Sequence, residues 1–200
     1  MKSMARVRVF LSCALAMFVT FAWSVCVAGP IFEERGTLTV GGQVEQGMLV
    51  GDAPPTDDFD NGTGFALRLR YYLGSSRAFG ISLESQVFNG IEAPVSEDQP
   101  RKFKDAVMTL DYLFYFDRNS TLSRYVTVGL GFHHPGLEYR VGSEVGPDGV
   151  AACLGGGVEY FFHRSTSIDV SVKGYGLFGQ RDGLMGSVQV AAGVNFYMMD

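Results

Sequence analysis

From residue 37 onward the chain is organised by a period of two. Eight segments alternate apolar and polar side chains, at about 37–48, 64–74, 78–90, 104–117, 124–134, 150–163, 167–178 and 185–198. Strict alternation predicts β-strands with two unlike faces, and no segment shows the i, i+3, i+4 spacing of an amphipathic helix. The apolar rows begin with Leu38, Val40, Val44 and Met48, then Phe65, Leu67, Leu69, Tyr71 and Leu73, then Phe79, Ile81, Leu83 and Val87. They continue with Met108, Leu110, Tyr112, Phe114 and Phe116, then Val126, Val128, Leu130 and Phe132, then Leu154, Val158, Tyr160 and Phe162. Ile168, Val170 and Val172, and finally Val188, Val190, Val194, Phe196 and Met198, complete the series.

The connections differ by rim. Short ones, GSSR, DRNSTLS and HRST, follow the second, fourth and sixth strands. Longer ones at 49–63, 91–103 and 135–149 follow the first, third and fifth, and are rich in Gly, Pro, Asp and Glu; GQRDG (179–183) is brief where a longer one is expected. Short turns at one rim and long loops at the other match a bacterial outer-membrane barrel. Aromatics gather beside the short turns, in RYYLG, LFYFDR, EYFFHR and VNFYMMD, with Phe79 and Tyr125 opening return strands. Such rings collect at membrane–water interfaces, so these clusters predict an interfacial girdle and an apolar parity that faces lipid.

The other parity then lines the interior. It holds Glu45, Arg68, Arg70, Glu84, Gln86, Asp105, Asp111, Glu159, Asp169, Lys173, Gln189 and Asn195. Three cations among six carboxylates allow every cation an ion pair. The expected partners of Arg68 and Arg70 are among Glu45, Glu84, Asp105 and Asp111. Gly129, Gly131, Gly155, Gly157, Ala191 and Gly193 share this parity and leave room for the long side chains. Eight strands enclose an interior just wide enough for side chains to fill, so a packed polar plug is expected. A soluble, lipocalin-like barrel with the apolar parity inward stays open as an alternative.

Eight alternating strands, the unequal rims and a last strand reading AAGVNFYM resemble the small outer-membrane β-barrels, the OmpA transmembrane-domain and OmpX type. The resemblance implies an all-β, eight-stranded antiparallel up-and-down transmembrane barrel within 29–200, with strands over about 37–198. It implies an assembly signal at Gly193, Phe196 and Met198, although Met199 and Asp200 extend the chain past the usual terminal aromatic. It implies a monomer among outer-membrane lipid and lipopolysaccharide, handled during biogenesis by periplasmic chaperones and barrel-assembly machinery, with a structural or surface-interaction role. No cofactor is expected.

The N-terminus changes the accounting. Lys2, Arg6 and Arg8 precede the uncharged run VFLSCALAMFVTFAWSVCVA, which ends on Cys26-Val27-Ala28. Basic, apolar and small-residue stretches in that order predict a signal peptide, 1–28, cut before Gly29; an uncleaved anchor is the alternative. Cleavage removes three of 16 basic residues and none of 21 acidic ones, so 13 face 21 and the formal charge becomes −8. That acidity argues against nucleic acid as a partner. Cys13 and Cys26 also leave, so Cys153 remains as a single thiol and no intrachain disulfide can form.

Candidate chemistry is sparse. Gly174, Gly176 and Gly179 fit G-x-G-x-x-G, but the run lies in a strand with no helix behind it. Asp58, Asp60 and Gly62 echo part of a calcium loop, yet Leu69 stands where a bidentate Glu is needed. Asn61-Gly62-Thr63 and Asn119-Ser120-Thr121 fit glycosylation sequons without meaning in a Gram-negative host. The acidic residues Asp52, Asp57, Asp58, Asp60, Glu92, Glu97 and Asp98 suit solvated loops. His133-His134 is the pair to weigh. Some small outer-membrane barrels modify lipid A with a His, a Ser and an acid, and here His133 or His134 with Ser143 and Glu138 or Glu144 would supply them. Parity points His133 inward and His134 outward, which does not converge the set, and a non-enzymatic barrel is expected.

Overall fold

The computed structural model describes residues 36–51, 58–90, 100–116, 121–179 and 185–198. Nine strands cover them: β1 Leu38–Gly51, β2 Phe59–Tyr72, β3 Arg77–Gly90, β4 Lys102–Tyr115, β5 Leu122–Glu138, β6 Ser143–Val145, β7 Gly149–His163, β8 Thr166–Phe178 and β9 Met185–Met198. Eight of them close on themselves. Each pairs antiparallel with its chain neighbour, β5 pairs with β7 across the short β6, and β9 returns to β1 from Leu38↔Met198 to Gly51↔Met185. Closure leaves no row of unpaired backbone groups along the wall, which a bilayer requires because lipid offers no hydrogen-bond partners. The fold is a closed eight-stranded antiparallel barrel.

Its packing is inverted relative to a soluble barrel. The apolar rows stand outside: Phe65 is 58% exposed, Leu110 60% and Leu130 65%. All twelve charged and amide residues of the other parity are buried. The lipocalin-like alternative therefore fails, because it needs the apolar rows inside. From Phe116, just past the end of β4, back to Ala106 the outward row spans ten residue steps, or about 25 Å of height once a strand tilt near 40° is allowed for. Cross-strand ring pairs fasten that wall, as where Phe79 and Tyr112 meet edge-on at 5.3 Å.

The girdle expectation needs correction. Adjacent residues on a strand point to opposite faces, so each aromatic cluster splits between wall and lumen. Tyr71, Phe79, Phe114, Phe116, Tyr160, Phe162 and Phe196 face outward, whereas Tyr72, Tyr115, Tyr125, Phe161 and Tyr197 are buried inside the short-turn rim. A second internal cluster, with Phe59, Phe88, Phe103, Leu177 and Met185, fills the lumen at the long-loop rim. The interior is thus layered: a tyrosine-rich floor, a charged middle and an apolar lid.

Strands also extend beyond their expected ends. β1, β2 and β5 run several residues further toward the long loops, where side chains leave the apolar band and alternation against lipid no longer marks them. The connection expected over 135–149 is largely a hairpin. β5 continues past Pro135, and β6 folds back on it from Gly136↔Val145 to Glu138↔Ser143. Pro135 fits because its carbonyl still accepts from the Gly146 amide at 2.9 Å. Residues 1–28, with the expected signal peptide, and Glu92, Glu97, Asp98 and most of the first acidic loop lie outside the described residues.

Candidate functional site: the charged interior and the histidine rim

Two strands supply the interior cations. Arg68 and Arg70 sit on β2 at i and i+2, so both enter the lumen at adjacent levels; Lys173 enters from β8 on the far side. Each cation lies between two carboxylates. Arg68 Nη1 is 3.5 Å from Asp169 and its Nη2 4.0 Å from Glu45. Arg70 Nη2 is 3.3 Å from Asp169 and its Nη1 3.7 Å from Glu159. Lys173 Nζ is 2.7 Å from Glu84 and 3.6 Å from Asp111. The expected partner set is therefore wrong in three of four members. Only Glu45 meets an arginine; Glu84 and Asp111 serve Lys173, and Asp105 faces His133 at 3.4 Å. Strand alternation puts a residue in the lumen, but which opposing residue it meets depends on the height set by shear.

Neutral donors complete the carboxylates. Asp169 accepts from the Tyr125 hydroxyl at 2.9 and 3.0 Å and from the Gln43 amide. Glu159 accepts from Asn195 at 2.6 Å, from Tyr115 at 3.4 Å, and from Ser167 and Tyr197. Glu84 accepts from Tyr175 at 2.7 Å, and Asp111 from Ser82. Buried ions persist when paired and hydrogen-bonded together. Arg70 and Lys173 meet both conditions. Arg68 is ion-paired, but its Nε and Nη2 have no hydrogen-bond partner among the described residues. Tyr72, Tyr115, Tyr125, Tyr175 and Tyr197 were the members missed in the sequence. Counting parity through each run of aromatics, as in Tyr71-Tyr72, would have found Tyr72, Tyr115 and Tyr197, but not Tyr125 or Tyr175.

Little space remains among these side chains. A cavity of about 10 Å³ lies between Arg68, Arg70, Ser82, Asp111, Thr127 and Lys173. That gap has room for roughly one water. The small interior residues have the expected use: a Cβ on Gly129 would strike the Asp111 carboxylate and the Cys153 sulfur.

At the long-loop rim the two histidines separate by parity. His133 is buried and lies between Asp105 and the Phe178 carbonyl, to which its Nε2 donates at 3.3 Å. His134 points out, its Nδ1 bonded to the exposed Asp148. Ser143 belongs to neither. It lies opposite Glu138, five residues up β5 from His133, or roughly 17 Å along the strand. Glu144 bonds Tyr139, and Glu138 bonds Lys104. The candidate hydrolase set does not assemble in this geometry. Among the described residues there is no group of three or more His, Cys, Asp and Glu arranged to hold a metal.

On β9, Phe196 and Met198 face outward, while Gly193 has inward parity and lies against β1 so closely that a Cβ would meet the Gly42 carbonyl. The barrel itself therefore needs glycine at 193, independent of any assembly role. The glutamate beyond the lid, Glu138, is held below the ordinary carboxylate range by Lys104, with Lys102 and Arg101 adding to the effect.

No family model matches the sequence, and no curated protein is similar to it. Solved structures are. Neisserial surface protein A shares 13% identity at a TM-score of 0.64, over 80% of this chain and 98% of that one. Ail, the attachment invasion locus protein of Yersinia pestis, shares 20% at 0.54, over 82% and 100%. The outer membrane protein OprG of Pseudomonas aeruginosa shares 11% at 0.55, over 88% and 100%. With its charged interior, apolar wall and closed eight-strand sheet, the chain has the fold of the small outer-membrane β-barrels.

Proposed function

We propose that this chain is a non-enzymatic integral protein of a Gram-negative outer membrane, with a structural or surface-interaction role and a lumen that does not conduct. The carrying observation is the inverted packing, in which ions are buried inside while a continuous apolar wall stands exposed. Water would penalise that wall; hydrocarbon does not. The likeness in fold to outer-membrane barrels supports the location, and the layered interior supports a plug over a pore. In this reading the N-terminal run over 1–28 is a cleaved export signal, and the protein is a monomer surrounded by lipid and lipopolysaccharide. Assembly machinery and chaperones would meet it only in transit.

Fractionation combined with heat-modifiable gel mobility tests this. The protein should sediment with outer membranes and migrate differently before and after boiling. Recovery in the soluble periplasmic fraction would overturn the proposal. Comparing lipid A by mass spectrometry, with and without the protein, tests the non-enzymatic part; an acyl chain gained or lost would refute it.

A further inference from the structure

The outer wall has a notch at its upper edge. One lateral row of outward side chains reads Phe65, Ser85, Ala106, His134 across β2 to β5. The row beneath is Leu67, Leu83, Met108, Phe132, all large. Two small residues side by side above a bulky ledge leave a groove of about 530 Å³, within the size range of ligand sites. Phe65 and Phe132 wall it, and His134 with its partner Asp148 closes the upper side.

Its position selects the occupant. The groove opens on the apolar band, so hydrocarbon is the medium that meets it. Charge begins immediately above. Lys104 precedes Ala106 by two residues on the same face, about 7 Å higher, with Lys102 opening the strand and Arg101 just before it. Glu138 pairs with Lys104, which leaves three cations against one carboxylate at this edge. Their joint pull is visible on Glu138. An apolar slot topped by cations complements a molecule with an acyl tail and an anionic head.

We propose that this notch binds one acyl chain of a phosphorylated outer-leaflet lipid, with the phosphate held by Lys104 and its cationic neighbours. The inference rests on the outer-membrane placement above and adds a defined lipid site to it. Acyl chains fill an irregular wall well because each methylene regains contacts that an empty groove forfeits.

The test is native mass spectrometry of the folded protein released from phosphatidylcholine nanodiscs doped with diphosphoryl lipid A or with neutral diacylglycerol. Wild type should retain one lipid A, roughly tenfold more than diacylglycerol. Ala106→Phe, which fills the floor, should cut that retention by roughly tenfold, while Ala192→Phe, outward on β9, should not. Lys104→Glu should erase the preference for the phosphorylated lipid. Should Ala106→Phe fail to fold, Ser85→Leu fills the same floor. Heat-modifiable mobility separates the two levels of failure: an unfolded or soluble protein defeats the membrane reading. A folded barrel with no lipid preference, or with retention indifferent to the floor substitution, defeats the notch alone. Release of fatty acid from the retained lipid would also overturn it, since the site would then be hydrolytic.

Discussion

Asp169 is where the interior is most vulnerable. It is fully buried on β8 and is shared by Arg68 at 3.5 Å and Arg70 at 3.3 Å. Asp169→Asn keeps the shape and removes the charge. At an effective dielectric near 20, each of those pairs corresponds to about 5 kcal/mol of Coulomb attraction. Against this, a neutral amide no longer has to be stripped of carboxylate hydration, a saving of several kcal/mol. Arg70 retains Glu159 at 3.7 Å and Arg68 retains Glu45 at 4.0 Å, so neither arginine is wholly stranded. The net loss should be about 3–5 kcal/mol, the usual cost of breaking a buried pair from one side. With a urea dependence near 2 kcal/mol per molar, that is a midpoint shift of roughly 2 M. Unfolding should be followed by far-ultraviolet circular dichroism and gel mobility, because Trp23, the chain's one tryptophan, precedes the barrel. Glu144→Gln, a charge removed from the exposed β6, should change stability by less than about 0.5 kcal/mol. If Asp169→Asn unfolds within about 0.3 M of wild type, the shared carboxylate contributes nothing and the interior is better solvated than its packing indicates.

Three further outcomes follow from the wall, the rim and the core. Gly131→Ala would drive a Cβ into the Met108 carbonyl and pry β4 from β5, so the heat-modifiable form should be lost; Gly42→Ala, facing open space on β1, should fold normally. Glu138 titrates below the ordinary carboxylate range because Lys104 stabilises its charged form, so this pairing favours folding at neutral pH and fades as pH falls through that lowered value. In Lys104→Ala, nuclear magnetic resonance titration of Glu138 should show its midpoint move upward, and an unmoved midpoint would break the assignment. Cys153 is buried beside Asp111, so maleimide should label it only after unfolding; rapid labelling of the folded barrel would mean an open lumen.

The sequence by itself determined the eight strands of the barrel wall, though not the short β6, together with the class of barrel and the face on which every interior charge lies. Alternation carries that information locally: side chains two residues apart must share a face, and the unequal connections name the rims. It also placed His133 inward and His134 outward. What it could not determine was pairing across the lumen. Arg68 lies opposite Ser82 on β3, one inward position away from Glu84, yet it meets Asp169 from β8, because closure and stagger decide which levels face one another. Nor did local pattern separate the floor and lid from the girdle, since consecutive aromatics such as Phe114, Tyr115 and Phe116 read as one cluster until the pleat divides them. The notch at Ser85 and Ala106 belongs to the same category. Two small residues on different strands are unremarkable in sequence, and only the register of β3 against β4 sets them side by side beneath Lys104.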